Sequence, residues 1–392
     1  MKTLMRTWAD ISLDNLEHNY RKLRSRLPQG CRFLGVMKAD AYGHGAVPIS
    51  HALADLGAEY LAVSNIEEAV QLRRGNVRLP ILILGYTPAT YADNMVFMDI
   101  TQEVHSLSYA QELNEALSGT NYILNVHLKL DTGMTRLGFF AYDSALTQEQ
   151  IVAVSRLQHL RIEGVFTHFA AADSTAAEDA AFTRLQYARF ADMLSQLEAA
   201  GVKPEIRHCC NSGAAMLYPE YAMDMIRPGI ATYGVHPSSD TVGLLDLRPV
   251  MSVYTSVAQI RTIPADTAIS YGRTYLTPSA RRIAVLPVGY ADGLPRALSG
   301  KASFRVHGRD VPVVGRICMD MCMADVTDVP ELSEGDTLTI FGYDEAGALV
   351  PCERLADALG TISYELLCQI SKRIPRIYLE GGKASEILQY IV

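Results

Sequence analysis

Eight short apolar runs, alternating with amphipathic stretches, fill the first 230 or so residues of this chain. They fall at 33–37, 60–64, 80–84, 95–100, 123–131, 160–169, 205–210 and 222–227. Most neighbours are separated by a segment of helical periodicity, such as 178–200, where Phe182, Leu185, Phe190, Met193, Leu194 and Leu197 recur. Strands alternating with helices pair in parallel, since each crossover returns the chain to run in the same direction. Eight such units imply a closed (β/α)8 barrel. An open doubly wound sheet is the competing arrangement, but its usual glycine fingerprint after the first strand is absent. Leu13, Leu16, Tyr20, Leu23 and Leu27 give a helix before the first run, capped at Ser12 and ended by Pro28 and Gly30.

After about residue 238 the pattern changes. Segments 250–263, 282–288, 302–306, 311–315 and 337–341 are β-branched and alternating, punctuated by Pro and Gly turns. Residues 352–360 and 363–373 read as short helices. The expected fold class is α/β: an N-terminal (β/α)8 TIM barrel over 9–238, then a mainly-β domain over 239–392 against which residues 1–8 pack.

A net charge of −8 with no basic stripe argues against nucleic-acid binding. The basic cluster Arg21–Arg26 reads as the wet face of a helix. No secretory h-region or membrane-length apolar stretch occurs, and no metal signature is visible. Seven cysteines without a Cys-x-x-Cys pair fit reduced, buried thiols in the cytoplasm.

Catalytic side chains of a barrel gather at the carboxyl ends of its strands. Those ends carry Lys38 after the first strand, Lys129 and Arg136 on and after the fifth, and His168 on the sixth. The seventh leads into Asn211-Ser212-Gly213 and the eighth into Arg227-Pro228-Gly229. Lys38 stands where a strand hands over to a glycine-rich loop, neither packed inside nor fully in solvent. Burial lowers an amine's pKa, and a partly neutral amine can form a Schiff base with a carbonyl cofactor. The loops after strands seven and eight are where barrels often bind phosphate on bare backbone N–H groups, a task that suits Ser212 and Gly229. Singly, each residue has a plainer reading: a surface lysine, a hydrogen-bonded core histidine, an arginine in a structural ion pair. Lys129 is harder to dismiss. His127, Lys129 and Asp131 alternate with Val126, Leu128 and Leu130, so the polar set shares one strand face. Charges on an inward face need neutralisation or a ligand.

Six motifs together resemble the bacterial alanine racemases, in that family's order and nearly end to end. They are Met37-Lys38-Ala39-Asp40-Ala41-Tyr42-Gly43-His44-Gly45, Lys129-Leu130-Asp131-Thr132-Gly133-Met134-Thr135-Arg136-Leu137-Gly138, Arg227-Pro228-Gly229-Ile230, Ser270-Tyr271-Gly272, Val288-Gly289-Tyr290-Ala291-Asp292-Gly293 and Gly315-Arg316-Ile317-Cys318-Met319-Asp320. The resemblance implies a dimeric enzyme using pyridoxal 5'-phosphate. Lys38 would carry the cofactor, Tyr42, Ser212, Gly229, Ile230 and Tyr364 would hold its phosphate, and Asn211 would lie beside it. Arg227 would face the pyridine nitrogen, leaving it unprotonated and weakening the electron sink.

Racemisation needs bases on both faces of a planar carbon. The resemblance assigns one face to Lys38 and the other to Tyr271 of the partner subunit, poised by His168 and by Arg227 or His208. Tyrosine, with an unperturbed pKa of about 10, needs such cations to act as a base. Arg136 and the Met319 backbone would bind the substrate carboxylate, with Cys318 and Asp320 in support. The lysine matching Lys129 is often carbamylated in the family, which would make it an anion positioning Arg136. Tyr290 and Tyr364 would narrow the entrance, with Asp173, Arg296, Arg316 and Ile362 lining the corridor outside. The role implied is D-alanine supply for peptidoglycan.

Serine racemases of the vancomycin-resistance type are the near alternative. Tyr364 favours alanine, whereas Arg273 looks more like the serine enzymes. Basic amino-acid decarboxylases share the barrel but expect a glycine-rich phosphate loop and an acidic partner for the ring nitrogen. A non-catalytic cofactor carrier would not need the 150 or so residues after 238, with Tyr271 among them.

Overall fold

The computed structural model describes residues 6–391. It divides by packing into two compact units: Glu17–Ala41 with Ala46–Arg248, and a second built from the chain up to Leu16, Tyr42–Gly45 and the chain from Pro249 onward.

The first unit is the barrel. Its parallel strands are Arg32–Val36, Tyr60–Val63, Ile81–Ile83, Ile100–Val104, Leu124–Asp131, Leu160–Phe166, Ile206–His208 and Met225–Ile226, and the last pairs back onto the first. Between the seventh and eighth the ladder is short. The Asp224 N–H donates to the Arg207 carbonyl at 3.1 Å and the Arg227 N–H to that of Cys210 at 2.9 Å. Parallel strands covered on both faces bury nearly everything they carry: the first, second, third and fifth include Phe33, Leu34, Leu61, Ile81 and Leu128, all at 0% exposure.

Two sequence expectations shift. The apolar run at 95–100 is mostly helix, Ala92–Phe97, and the fourth strand is Ile100–Val104. That strand was hard to see because its buried positions include Gln102 and Glu103. The sixth strand stops at Phe166, so His168 lies on the loop beyond it. Helix Ala177–Ala199 forms as expected, but Leu185 faces outward and Gln186 takes an inward place. Its amide accepts from the Ala170 N–H at 2.9 Å and donates to the His168 carbonyl at 3.2 Å, fixing that loop.

The second unit is a long, mostly antiparallel sheet. Its spatial order is Gln259–Ile263, Arg281–Leu286, Cys322–Asp325, Arg309–Val314, Ser303–Val306, Thr337–Tyr343, Met251–Ser256, Thr7–Ser12, Arg376–Glu380 and Lys383–Leu388. Strand Thr7–Ser12, in whose middle residue 9 lies, is therefore a sheet strand of this unit. Ser12 does cap the helix that follows, its hydroxyl accepting from the Asn15 N–H at 3.1 Å. The expected segment 250–263 is two strands, and the helix expected at 363–373 is Ser363–Cys368. It ends early because the carbonyls of Ile370, Ser371 and Ile374 turn onto the guanidinium of Arg376, itself fully buried. The Arg376 Nε–H donates to the Gly43 carbonyl at 3.0 Å, and the Tyr378 hydroxyl to that of His44 at 2.8 Å.

Candidate active site

Lys38 follows the first barrel strand by one residue and is exposed rather than half-withdrawn. The chain then makes a turn that L-residues avoid. Ala39, Asp40, Ala41 and Tyr42 have φ of 51°, 55°, 54° and 53°, a left-handed conformation costing about 1–2 kcal/mol per ordinary residue. Side chains hold its start. The Glu68 carboxylate accepts from the N–H groups of Ala39 and Ser64, both at 2.7 Å. Asp40 accepts from the Ala46 N–H at 2.9 Å, at the beginning of helix Ala46–Asp55. The lysine is thereby set on the rim by a rigid turn.

The polar face of the fifth strand does point into the barrel: His127, Lys129 and Asp131 are 0%, 5% and 8% exposed. Burial pushes the Lys129 ammonium down from its ordinary value, with Glu103 opposing and Arg136 and Arg227 adding to the shift. Asp131 shapes the loop that carries Arg136, accepting through one oxygen from the N–H groups of Gly133 and Thr135, both at 3.0 Å.

Arg227 is buried at the eighth strand's end, 4% exposed. One terminal nitrogen donates to His208 Nδ1 at 2.8 Å. The other reaches the carbonyls of Thr167 at 2.7 Å and Cys209 at 3.2 Å, with His168 Nδ1 at 3.4 Å. Burial lowers the Arg227 guanidinium to about 10, so it stays charged at neutral pH. His168 and His208 are held well below the ordinary histidine value, chiefly by burial and then by Arg227.

Beside them, the Ser212 hydroxyl accepts from the Gly229 N–H at 2.8 Å and the Ala231 N–H at 3.3 Å. This ties together the starts of the helix Ser212–Leu217, capped by Asn211, and of the 3-10 turn Ile230–Tyr233. Asp173 lies close by: a Cβ added to Gly213 would sit 2.7 Å from the Asp173 Cβ. The barrel unit thus brings together Lys38, Lys129, Arg136, His168, His208, Asn211, Ser212, Arg227, Gly229 and Ile230 on one rim and the interior beneath it. A flat, anionic aldehyde such as pyridoxal phosphate suits this donor set. It needs an amine, backbone N–H groups for its phosphate, and a donor for its ring nitrogen. Of the five N–H donors of Arg227, the Nε–H and one on Nη1 make none of the hydrogen bonds given above and are left for that last task.

Comparison with known proteins bears on the same residues. The alanine racemase N-terminal domain matches residues 11–237 and the alanine racemase C-terminal domain residues 250–378. Alanine racemase 2 of Caldanaerobacter subterraneus subsp. tengcongensis is 42% identical over 385 residues, covering 98% of each chain. The alanine racemase of Desulfovibrio desulfuricans is 43% identical, over 95% of this chain and 98% of that one. Among solved structures, the alanine racemase of Clostridium difficile 630 superposes with a TM-score of 0.94 at 39% identity, each chain fully covered.

The chain belongs to the alanine racemase family.

The family motifs of the second unit lie on turns of its sheet. Tyr271 is 68% exposed on a turn where Ser270, Gly272 and Arg273 have φ of 66°, 71° and 50°. The Ser270 hydroxyl donates to the Arg316 carbonyl at 2.6 Å and lies 3.5 Å from the Cys318 sulfur. A Cβ on Gly272 would meet the Arg316 guanidinium at 2.8 Å, so a side chain there would have to push that flexible end aside as well as adopt the positive φ. Tyr290 and Met319 are exposed on neighbouring turns, joined by the Tyr290 N–H to the Cys318 carbonyl at 3.1 Å. Asp320 pairs with Arg373 at 2.8 Å. Tyr42 and Tyr364 face each other with ring centroids 6.0 Å apart, and burial raises the Tyr42 phenol. Arg296 and Ile362 are exposed.

Several residues of this alanine racemase site escaped the sequence reading. Glu68, Glu103, Glu163 and Gln186 are polar residues at half-buried or buried positions on strands and helices. The available signal was a carboxylate or amide interrupting an otherwise apolar periodicity.

Proposed function

We propose that this chain interconverts L-alanine and D-alanine with pyridoxal 5'-phosphate as its cofactor, working as a cytoplasmic homodimer that supplies D-alanine for peptidoglycan. The observation that carries this reading is the rim itself: Lys38 on its rigid turn, a buried Arg227 with donors left over, and the two loop starts that the Ser212 hydroxyl ties together, in a chain with relatives named alanine racemase along its whole length. The Bacillus anthracis alanine racemase solved with bound L-Ala-P superposes with a TM-score of 0.93 at 32% identity.

The bound cofactor would supply an electron sink that acidifies the substrate's α-hydrogen. Lys38 Nζ would take or return that proton on one face and Tyr271 Oη of the partner subunit on the other. The exposure of Tyr271 on a stiff turn suits a residue that completes another subunit's site. Ser212, Gly229, Ile230, Asn211, Tyr42 and Tyr364 would hold the phosphate. Arg136 and the Met319 backbone would orient the carboxylate, and a carbamylated Lys129 would restrain Arg136. The lowered amine of Lys129 supports that modification, because carbon dioxide adds to the neutral form. Asp173, Tyr290, Arg296, Arg316 and Ile362 would line the approach, with Cys318 and Asp320 behind them.

A chiral product assay over L-alanine, L-serine and L-lysine tests the substrate, and faster turnover of serine than alanine would overturn it. Tyr271→Phe should keep the bound chromophore and lose turnover most severely in the L-to-D direction. A chromophore still reducible by borohydride onto the protein in Lys38→Ala would sink the assignment of the lysine.

A further inference from the structure

The hydrogen bonds of Arg227 do not end at the rim. They continue through the barrel interior to its opposite end. Arg227 donates to His208 Nδ1 at 2.8 Å, His208 Nε2 meets His127 Nδ1 at 2.8 Å, and His127 Nε2 meets Glu163 Oε2 at 3.2 Å. Around that carboxylate stand the Tyr60 hydroxyl, donating at 2.7 Å, and the Thr101 hydroxyl at 3.4 Å. Tyr60 is the first residue of its strand and Thr101 the second of its own, so Glu163 sits toward the amino-terminal floor of the barrel. His127 and His208 are both at 0% exposure.

The direction of this chain is forced. A guanidinium only donates, so His208 must accept at Nδ1 and carry its proton on Nε2. His127 must then accept at Nδ1 and carry its own proton on Nε2, which faces an acceptor in Glu163. One proton arrangement satisfies every link, and the carboxylate is where it terminates. Burial keeps both imidazoles below the ordinary histidine value, and the histidine and tyrosine donors hold the Glu163 carboxyl down at about 2 against its burial.

The backbone is built around the same path. A Cβ on Gly164 would lie 2.5 Å from His127 Cε1 and 2.6 Å from Nδ1, so the neighbouring strand has a glycine where the imidazole crosses it. The pairing register between these two strands shifts between Val126 and His127, at the same place.

We propose that Glu163 is a positioning residue for Arg227. It fixes the His127 tautomer, through it the place of the His208 ring that receives the guanidinium, and so the direction in which the Arg227 Nε–H points. The use of that Nε–H at a cofactor nitrogen rests on the function proposed above; the fixed tautomer chain does not.

The test is histidine tautomer assignment by long-range 1H–15N NMR on histidine-labelled full-length protein, with and without added pyridoxal phosphate. His127 and His208 should both be neutral and protonated at Nε2 in the native chain, unchanged as the pH crosses the free histidine value near 6.5. Glu163→Leu leaves the His127 Nε2–H buried without its acceptor while Arg227 still makes His208 accept at Nδ1, so His127 should lose its single tautomer and its bond to His208. The cofactor absorbance should shift and kcat fall by roughly tenfold to a hundredfold, the scale of a small misplacement. Glu163→Gln keeps an acceptor oxygen without the charge and should retain the native tautomers, which guards against a Leu variant that fails to fold. Native histidines protonated at Nδ1, or Leu and Gln variants that both keep native tautomers and absorbance, would overturn the proposal. Loss of racemase activity in Tyr271→Phe with an intact histidine spectrum leaves it standing, so the two readings fail separately.

Discussion

Replacing Glu68 probes how Lys38 is held on the rim. Its carboxylate binds two backbone donors, one oxygen to Ala39 and the other to Ser64, each at 2.7 Å. Hydrogen bonds to an ionised acceptor are worth about 1.5–3 kcal/mol when buried. Here the freed N–H groups would face water, so about 1 kcal/mol each is the better figure. The bonds offset strain: at about 1–2 kcal/mol apiece, Ala39, Ala41 and Tyr42 alone store about 3–6 kcal/mol in left-handed backbone. Glutamine has one acceptor oxygen and would turn an NH2 toward the other donor. Glu68→Gln should therefore cost about 1 kcal/mol and Glu68→Ala about 2 kcal/mol, populating the open turn roughly 5-fold and 30-fold more. Amide hydrogen exchange of the peptide spanning 39–45 reads this directly, with urea unfolding reporting the global cost. Graded loss of protection, Gln before Ala, is the expected result. A Gln variant with native protection, or loss confined to other peptides, would refute the claim that these two bonds restrain the turn.

Other perturbations follow from the same geometry. Asp131 differs from Glu68 because one oxygen serves both Gly133 and Thr135. Asp131→Asn should thus cost under about 1 kcal/mol and Asp131→Ala about 2 kcal/mol, with a raised substrate KM only in the alanine variant as the Arg136 loop loosens. Gly164→Ala should destabilise by about 1–3 kcal/mol through overpacking against His127, measured as a urea midpoint. Acid should act steeply. His127, His168 and His208 are held neutral with folded-state pKa values below 6.5, so below that pH the unfolded chain binds protons the fold excludes. Stability is full above pH 6.5 and falls at up to about 1.4 kcal/mol per pH unit for each histidine that stays neutral in the fold, with His168 and His208, held well below the ordinary value, carrying the loss furthest. Glu163, held down at about 2, adds a further loss of the same sign once pH drops below the ordinary carboxyl range. An unfolding free energy that is flat between pH 6.5 and 5 would contradict the neutral assignment.

The barrel was legible where hydrophobic periodicity and burial coincide. Runs such as Phe33–Val36 and Tyr60–Val63 are apolar and buried on both faces, so the eye and the fold agree. The fourth strand broke that agreement because Gln102 and Glu103 occupy interior positions, and the apolar residues before it belong to a helix. The rim was legible as a set: Lys38 and Arg227 each have a plainer reading alone, but the strand ends gather them with Lys129, Arg136 and His168. Strand Thr7–Ser12 was not, since its partners Met251–Ser256 and Arg376–Glu380 lie hundreds of residues away and no local pattern encodes such pairing. The left-handed turn after Lys38 was hidden for a related reason. Apart from Asp40, nothing in Ala39-Asp40-Ala41-Tyr42 favours positive φ, and the conformation is imposed from outside, by Glu68 and by the clamp of Arg376 and Tyr378 on Gly43 and His44.

The polar interior of this barrel has an electrostatic logic that its separate motifs conceal. A (β/α)8 core is ordinarily filled by branched apolar layers, yet this one encloses Lys129, Arg227 and Glu103, with Glu163 reaching in from the floor. Removing a charge from water costs several kcal/mol unless it is paired or hydrogen-bonded. Arg227 has no carboxylate hydrogen-bonded to it; its neighbours are carbonyls and neutral imidazoles. That choice leaves the guanidinium's charge unsatisfied toward the rim, where a direct acidic partner would have quenched it. The compensating carboxylate is instead kept two imidazoles away, near enough to orient the arginine and too far to neutralise it. A substitution that brings an acid next to Arg227, such as His208→Asp at the position whose side chain the guanidinium meets, should therefore settle the arginine's burial while weakening anion binding at the rim. The opposing outcome, stronger retention of inorganic phosphate in that variant, would show that the distance between Arg227 and Glu163 carries no such meaning.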